Sequence, residues 1–227
     1  MIPLRDDNPT RLVPVVNYTV MVLCAVVFLW QFSLGARGEG RTLYALGLIP
    51  AVLTGQAALP PSLAWVPPPV TVLTSMFLHG GWLHIIGNML FLWIFGDNVE
   101  DAMGHVRYVI FYLLCGAVAA FAQVLGAPGS TVPMIGASGA ISGVLGAYLL
   151  LHPRAEVLVL VPLGFFLPLM RLPAVWVLGA WFVIQLLDNL FAGPGGAGVA
   201  FRAHIGGFLA GLALIPVFKY RRVRLWR

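Results

Sequence analysis

Along the chain, apolar residues gather into blocks bounded by Gly, Pro or charge, near residues 14–34, 82–102, 106–126, 137–152, 173–190 and 203–220. Crossing about 30 Å of hydrocarbon takes roughly 20 helical residues, so the pattern predicts six membrane-spanning helices. Between the first two blocks, residues 35–81 carry only short apolar patches, LGLIPA and VTVLTSMFL, broken by Pro60-Pro61 and Pro67-Pro68-Pro69. That stretch is expected to be a long structured loop lying partly in the membrane surface. Residues 157–170, VLVLVPLGFFLPLM, make a further apolar run. It is too short to cross and contains Pro162 and Pro168, so an interfacial or re-entrant segment is expected. The predicted organisation is an N-terminal segment over 1–13, one six-span domain over 14–220 and a basic tail over 221–227.

Composition places all of this in lipid: 60% of the 227 residues are hydrophobic and 9% charged, against about 25% charged in an ordinary soluble domain. The length suits one all-α membrane bundle with a long structured first loop. The net charge of +5 does not point to nucleic acid, because the cations are not gathered on a soluble module. Lys219, Arg221, Arg222, Arg224 and Arg227 follow the last apolar block, as juxtamembrane cations do. With both termini cytoplasmic, these five, Arg5, Arg11, Arg107, Arg154 and Arg171 lie inside, and only Arg37, Arg41 and Arg202 lie outside. That satisfies the positive-inside rule. No small-residue cleavage site follows the first block at signal-peptide distance, so it is expected to be retained as a span. Cys24 and Cys115 sit within apolar blocks and imply neither a disulfide framework nor a metal site. A bacterial inner membrane is the expected location.

Polar side chains deep in apolar spans are costly and need a partner or a task. His84 and Asn88, at i and i+4, share a face near the start of the second span. Ser138 lies in GASG at the start of the fourth span, and His204 in FRAHIGGFLAG at the start of the sixth. Spans two, four and six run in the same direction, so these four residues converge near the outer surface. Gly139 and Gly143 on the fourth span, with Gly207 and Gly211 on the sixth, supply the small faces on which helices in lipid pack closely. Imidazole can thereby reach hydroxyl.

Taken together, HGGWLHIIGNM, GDNVEDAMG, GASGAISGVLGAY and AHIGGFLAG resemble the rhomboid family of intramembrane serine proteases over nearly the whole chain. The resemblance implies a six-helix rhomboid-like bundle. It further implies Ser138 as nucleophile, His204 as general base, and an oxyanion hole formed by His84, Asn88 and the backbone N–H of Ser138. Neither cofactor nor metal is implied, and the partners implied are single-span membrane proteins cut near the outer face, where their helix unwinds. Like the family, the chain has no acidic residue near His204 in sequence.

It also departs from the family. Ser142 stands four residues after the nucleophile, where many members place an aromatic that supports the base. Trp65 is followed by Val66 rather than by the arginine of the best-known bacterial members. Arg202, two before the base, is a cation able to depress its pKa if close. In GDNVEDAMG, the acids Asp97, Glu100 and Asp101 are expected to cap and bend the inner end of the second span.

Other intramembrane chemistries fit worse. No histidine belongs to a zinc-binding H-E-x-x-H, and Asp97 and Asp188 end spans on opposite sides, so they cannot form an aspartyl pair. A small-solute transporter is expected to show internal repeats or broken helices around a midplane site, and neither is found. A catalytically inactive rhomboid-like protein that binds or escorts membrane helices is the remaining alternative, although such a protein usually lacks the serine or the histidine.

Overall fold

The computed structural model of the chain describes residues 1–162, 166–191 and 200–226. Among these, strand β1 (Ile2–Asp6) precedes helix α1 (Val15–Ser33), and the first loop holds α2 (Gly35–Leu46), α3 (Pro50–Leu53) and α4 (Thr71–Thr74). Helices α5 (Trp82–Met103), α6 (His105–Gly126) and α7 (Ser138–Leu151) follow. Strands β2 (Glu156–Leu160) and β3 (Leu169–Pro173) then lead to α8 (Ala174–Phe191) and α9 (Phe201–Phe218).

Helix α7 is the axle of the bundle. It packs against α5, α6 and α9, and every residue from Ala140 to Tyr148 is buried. Around it, Phe95, Tyr108, Phe111, Tyr112, Tyr148 and Phe208 fill the core. The outer helices turn large apolar side chains outward, such as Val22 and Leu29 on α1, Phe121 and Leu125 on α6, and Trp176 and Ile184 on α8. A hydrocarbon solvent accepts such a surface and water does not. By length and composition, α1, α6, α8 and α9 are each able to cross a membrane. A fifth crossing exists if Pro68–Phe77 and α5, which meet at 80°, form one broken span. The expected count of six is not reached on this measure, because α5 counts only together with Pro68–Phe77 and α7 has only 14 residues.

The all-α expectation needs correction at the end of the bundle away from Ser138. There β1, β2 and β3 form an antiparallel sheet in that order. Ile2 pairs with Leu160 and Asp6 with Val157, with a register irregularity between Pro3 and Arg5; Leu160 pairs with Leu169 and Glu156 with Pro173. Alternation explains the pairing. Val157 and Val159 point into the core while their neighbours are partly exposed, the period of two that a half-covered strand requires. The segment expected to be interfacial or re-entrant thus contributes at each of its ends to a pair of antiparallel strands; its residues 163–165 lie outside the described residues, as does Arg227 of the tail.

Of the acids of the second predicted span, Glu100 and Asp101 act on the chain at and before the start of α1, while Asp97 accepts the Asn98 N–H within its own helix. Helix α5 runs unbroken to Met103 and stops at Gly104, whose φ of +78° suits glycine. Fully buried Glu100 accepts hydrogen bonds from the backbone N–H groups of Val16 and Asn17, at 3.0 and 2.7 Å, and from the His105 ring. Leu12 donates its N–H to Asp101 at 2.8 Å. The Val16 and Asn17 N–H groups belong to the start of α1, which has no side-chain cap of its own, and orphan donors at a helix N-terminus attract negative charge. Replacing Glu100 by Ala strands those donors. The expected loss is about 3 kcal/mol, read as a lower unfolding midpoint in detergent, and an unchanged midpoint would remove the clamp from the account.

Asp6 couples the sheet to the foot of α7 by accepting a hydrogen bond from the Tyr148 hydroxyl. Burial raises its carboxyl from 3.8 to about 6, against the opposing pull of that hydrogen bond. A raised acid favours the protonated fold, so its contribution is complete below about pH 4 and is lost as pH rises through about 6. For the parent, stability is expected to fall by an order of 1 kcal/mol across that interval after allowance for solvent screening. Asp6→Asn keeps the acceptor without the charge, and its denaturation midpoint is expected to lack this fall.

Candidate active site

Two turns set the geometry of the site end. Ser138 is the first residue of α7, and the chain before it is held from outside. Leu48 and Met134 exchange backbone hydrogen bonds at 3.0 and 2.7 Å, and the Gly136 N–H donates to the Ser75 carbonyl at 2.9 Å. Gly136 has φ of +114°, a conformation costly for other residues. The turn carrying the serine is therefore fixed by the first loop. His204 lies in the first turn of α9, with its Nε2 at 2.8 Å from Ser138 Oγ.

That distance depends on how closely α9 approaches α7. A Cβ on Gly207 would fall on the Gly139 carbonyl, and one on Gly211 on the Gly143 carbonyl. Gly139 itself faces Ala119 of α6, and Gly143 faces Cys115. Ser142 is buried and donates its hydroxyl to the Ser138 carbonyl at 2.6 Å. Its Cβ lies under Gly207, so a larger ring at this position would meet α9.

Support for the histidine comes from a residue that the sequence reading passed over. His204 Nδ1 lies 2.6 Å from Oε1 of Gln185 on α8. The Trp181 ring, one turn earlier on α8, has its centroid 5.9 Å from that of His204. The signal was present in the sequence: Gln185 is the one amide in the apolar run AWFVIQLL, and a polar side chain there needs a partner. Arg202, by contrast, donates to the Gly126 carbonyl at 2.6 Å and closes the end of α6. Its guanidinium is committed there, and the expectation that it acts on His204 is set aside.

His84 and Asn88 share the face of α5 that meets the turn before Ser138. His84 Nδ1 accepts the Gly80 N–H at 3.4 Å, which leaves the ring proton on Nε2, and a Cβ on Gly136 would come within 2.7 Å of that nitrogen. Asn88 is buried, and its Nδ2 has no hydrogen-bond partner among the described residues. Two unspent N–H donors thus face one turn. His79, also missed in the sequence reading, braces the approach. It is fully buried, its N–H donates to Gln31 Oε1 at 3.2 Å, and its ring lies 5.1 Å from that of His84. Burial, aided by His84, pushes the His79 imidazole down to about 4, so it stays neutral beside the site. Among the described residues no three His, Cys, Asp or Glu groups are placed to hold a metal ion.

The Rhomboid domain family model matches residues 68–221, which include Ser138, His204, His84, Asn88 and Gln185. The chain is similar to the Bacillus subtilis protein named Rhomboid protease GluP, 28% identical over 200 residues, 87% of this chain and 34% of that protein. The human Presenilin-associated rhomboid-like protein, mitochondrial, is 31% identical over 158 residues, 69% of this chain and 39% of that protein. Arabidopsis thaliana Rhomboid-like protein 11, chloroplastic, is 28% identical over 153 residues, 63% of this chain and 50% of that protein. The chain therefore spans half or less of the length of each. Mitochondrial and chloroplastic relatives leave the placement in a bacterial inner membrane unsupported; what stands is a membrane protein.

Proposed function

Since the chain belongs to the rhomboid family, which the match over two thirds of its length establishes, we propose that it is a serine endopeptidase that cuts other membrane proteins within or beside their spans. The observation that carries this reading is the 2.8 Å contact between His204 Nε2 and Ser138 Oγ inside an apolar bundle.

Serine hydroxyl is a weak nucleophile until a base takes its proton. In the proposed reaction, Oγ of Ser138 attacks the scissile carbonyl as its proton passes to His204 Nε2. The carbonyl oxygen becomes an oxyanion, which accepts hydrogen bonds from the Ser138 N–H, Asn88 Nδ2 and His84 Nε2–H. The Ser138 N–H belongs to the first turn of a helix, where backbone donors have no intrahelical acceptor. Collapse of the intermediate expels the amine, which takes the proton from His204 and leaves an acyl group on Oγ. Water then repeats the cycle and frees Ser138. Without a carboxylate behind the imidazole, the imidazolium is less stabilised than in a triad, and turnover is expected to be slow.

The topology of this reading has all six helices α1, α5, α6, α7, α8 and α9 crossing, with both termini and the sheet on the cytoplasmic side. The site then opens toward the outer face, and single-span proteins are the substrates. Purified protein with a single-span reporter tests the proposal. Parent cleavage and no cleavage by Ser138→Ala support it, whereas equal cleavage by both sinks it.

A further inference from the structure

We infer that Gln185 is a positioning residue that selects the protonation geometry of His204, so that the working unit is Ser138, His204 and a neutral amide; this rests on the protease reading above. For His204 to take a proton from Ser138, its Nε2 must offer a lone pair to Oγ, and the ring hydrogen must sit on Nδ1. A neutral imidazole holds that tautomer only if something accepts from Nδ1. Gln185 Oε1 stands 2.6 Å away, and an amide oxygen has lone pairs and no hydrogen. The two contacts, 2.6 Å on one nitrogen and 2.8 Å on the other, fix both the ring plane and the tautomer.

The residue type suits the setting. Gln185 is 8% exposed on a helix whose outward residues are apolar, and an uncharged amide is less costly to hold there than a carboxylate. A carboxylate at this distance would also stabilise the imidazolium and keep the base protonated to higher pH. The amide orients without doing so. Packing one turn earlier on α8 holds it in place: Trp181 lies beside the His204 ring, and Phe182 stacks on Phe208 with centroids 4.4 Å apart, joining α8 to α9. Among the described residues, His84 of α5 is a titratable group at the same turn, its Nε2 within 2.7 Å of where a Cβ on Gly136 would stand. Asp188 of α8 is exposed, and Arg202 is turned to the end of α6.

The test compares parent, Gln185→Leu, Gln185→Glu and Ser138→Ala in detergent, with a single-span reporter cleaved across a pH series. Gln185→Leu is expected to lower kcat by roughly 10- to 100-fold with KM within about twofold. Gln185→Glu is expected to recover most of that rate at alkaline pH and to move the acid limb of the profile up by roughly one pH unit. A residue that only filled space would leave that limb where it is. Nitrogen-15 NMR of His204 in the parent is expected to show the hydrogen on Nδ1. Parental kcat in Gln185→Leu, an unmoved acid limb in Gln185→Glu, or a ring hydrogen on Nε2 in the parent would each overturn the assignment. Cleavage that survives in Ser138→Ala would overturn the protease reading instead, and the NMR tautomer, which needs no turnover, would still decide the role of Gln185.

Discussion

Ser138→Ala and His204→Ala are each expected to reduce cleavage of a single-span substrate by at least about 10³-fold, the scale on which members of a nucleophile–base unit act. The double variant is expected to be no slower than either single one. Each group is useless without the other: the hydroxyl keeps its proton when the imidazole is gone, and the imidazole has nothing to deprotonate when Oγ is gone. What remains is the contribution of the donors on α5 and of substrate binding. Neither change should unfold the bundle, because Ser138 begins its helix and the core lies toward Tyr148 and Phe95. A circular dichroism melt alongside the cleavage gel distinguishes lost chemistry from lost fold. A serine-directed phosphonate gives a second readout, since labelling of Ser138 should require His204. Labelling at the parental rate in His204→Ala would break the dyad.

Gly211→Ala is expected to be nearly as damaging from two turns away. Its new methyl would land on the Gly143 carbonyl, carbon and Cα, and backbone inside a helix cannot step aside as a side chain can. Overpacking of this kind costs about 1–3 kcal/mol or more. The main relief available is for α9 to back away from α7, which carries His204 off Ser138, and a displacement of about 1 Å at a reacting pair is worth roughly 100-fold in rate. Gly179→Ala on α8 is the control, because nothing lies within 4 Å of a Cβ there. Parental melting temperature and cleavage rate in Gly211→Ala would show that the glycine contact does not set the approach of the two helices.

The sequence was most readable where lipid makes polarity costly. His84, Asn88, Ser138 and His204 stand out in apolar blocks, and the structure brings Ser138 to His204 and turns the other two toward the same turn. Gln185 obeys the same rule but stands out less, because a neutral amide behind a histidine lacks the charge that marks the carboxylate of a triad. Arg202 was given a role by its position in the chain, but a long side chain reaches wherever an acceptor lies, and here that is the end of α6. The sheet was hidden for another reason. Val157 and Val159 alternate with Leu158 and Leu160, and when every position is apolar a period of two leaves no trace. Its partner strand IPLRD is too short and mixed to declare itself. Glu100 is expected from the sequence to cap its own helix, but its carboxylate accepts from backbone N–H groups of α1, across a sequence separation of more than 80 residues, which local pattern cannot reveal.

The brevity of α7 has a consequence for where a substrate is cut. Fourteen residues rising about 1.5 Å each make a rod of about 21 Å, some 9 Å short of a hydrocarbon slab about 30 Å deep. With its foot level with the far boundary, the hydroxyl hangs at the bottom of a shaft roughly that deep. On the proposed reading, distance from the headgroups then acts as a ruler: sliding a target's span along the bilayer normal changes which of its bonds comes level with the oxygen, whatever residues flank it.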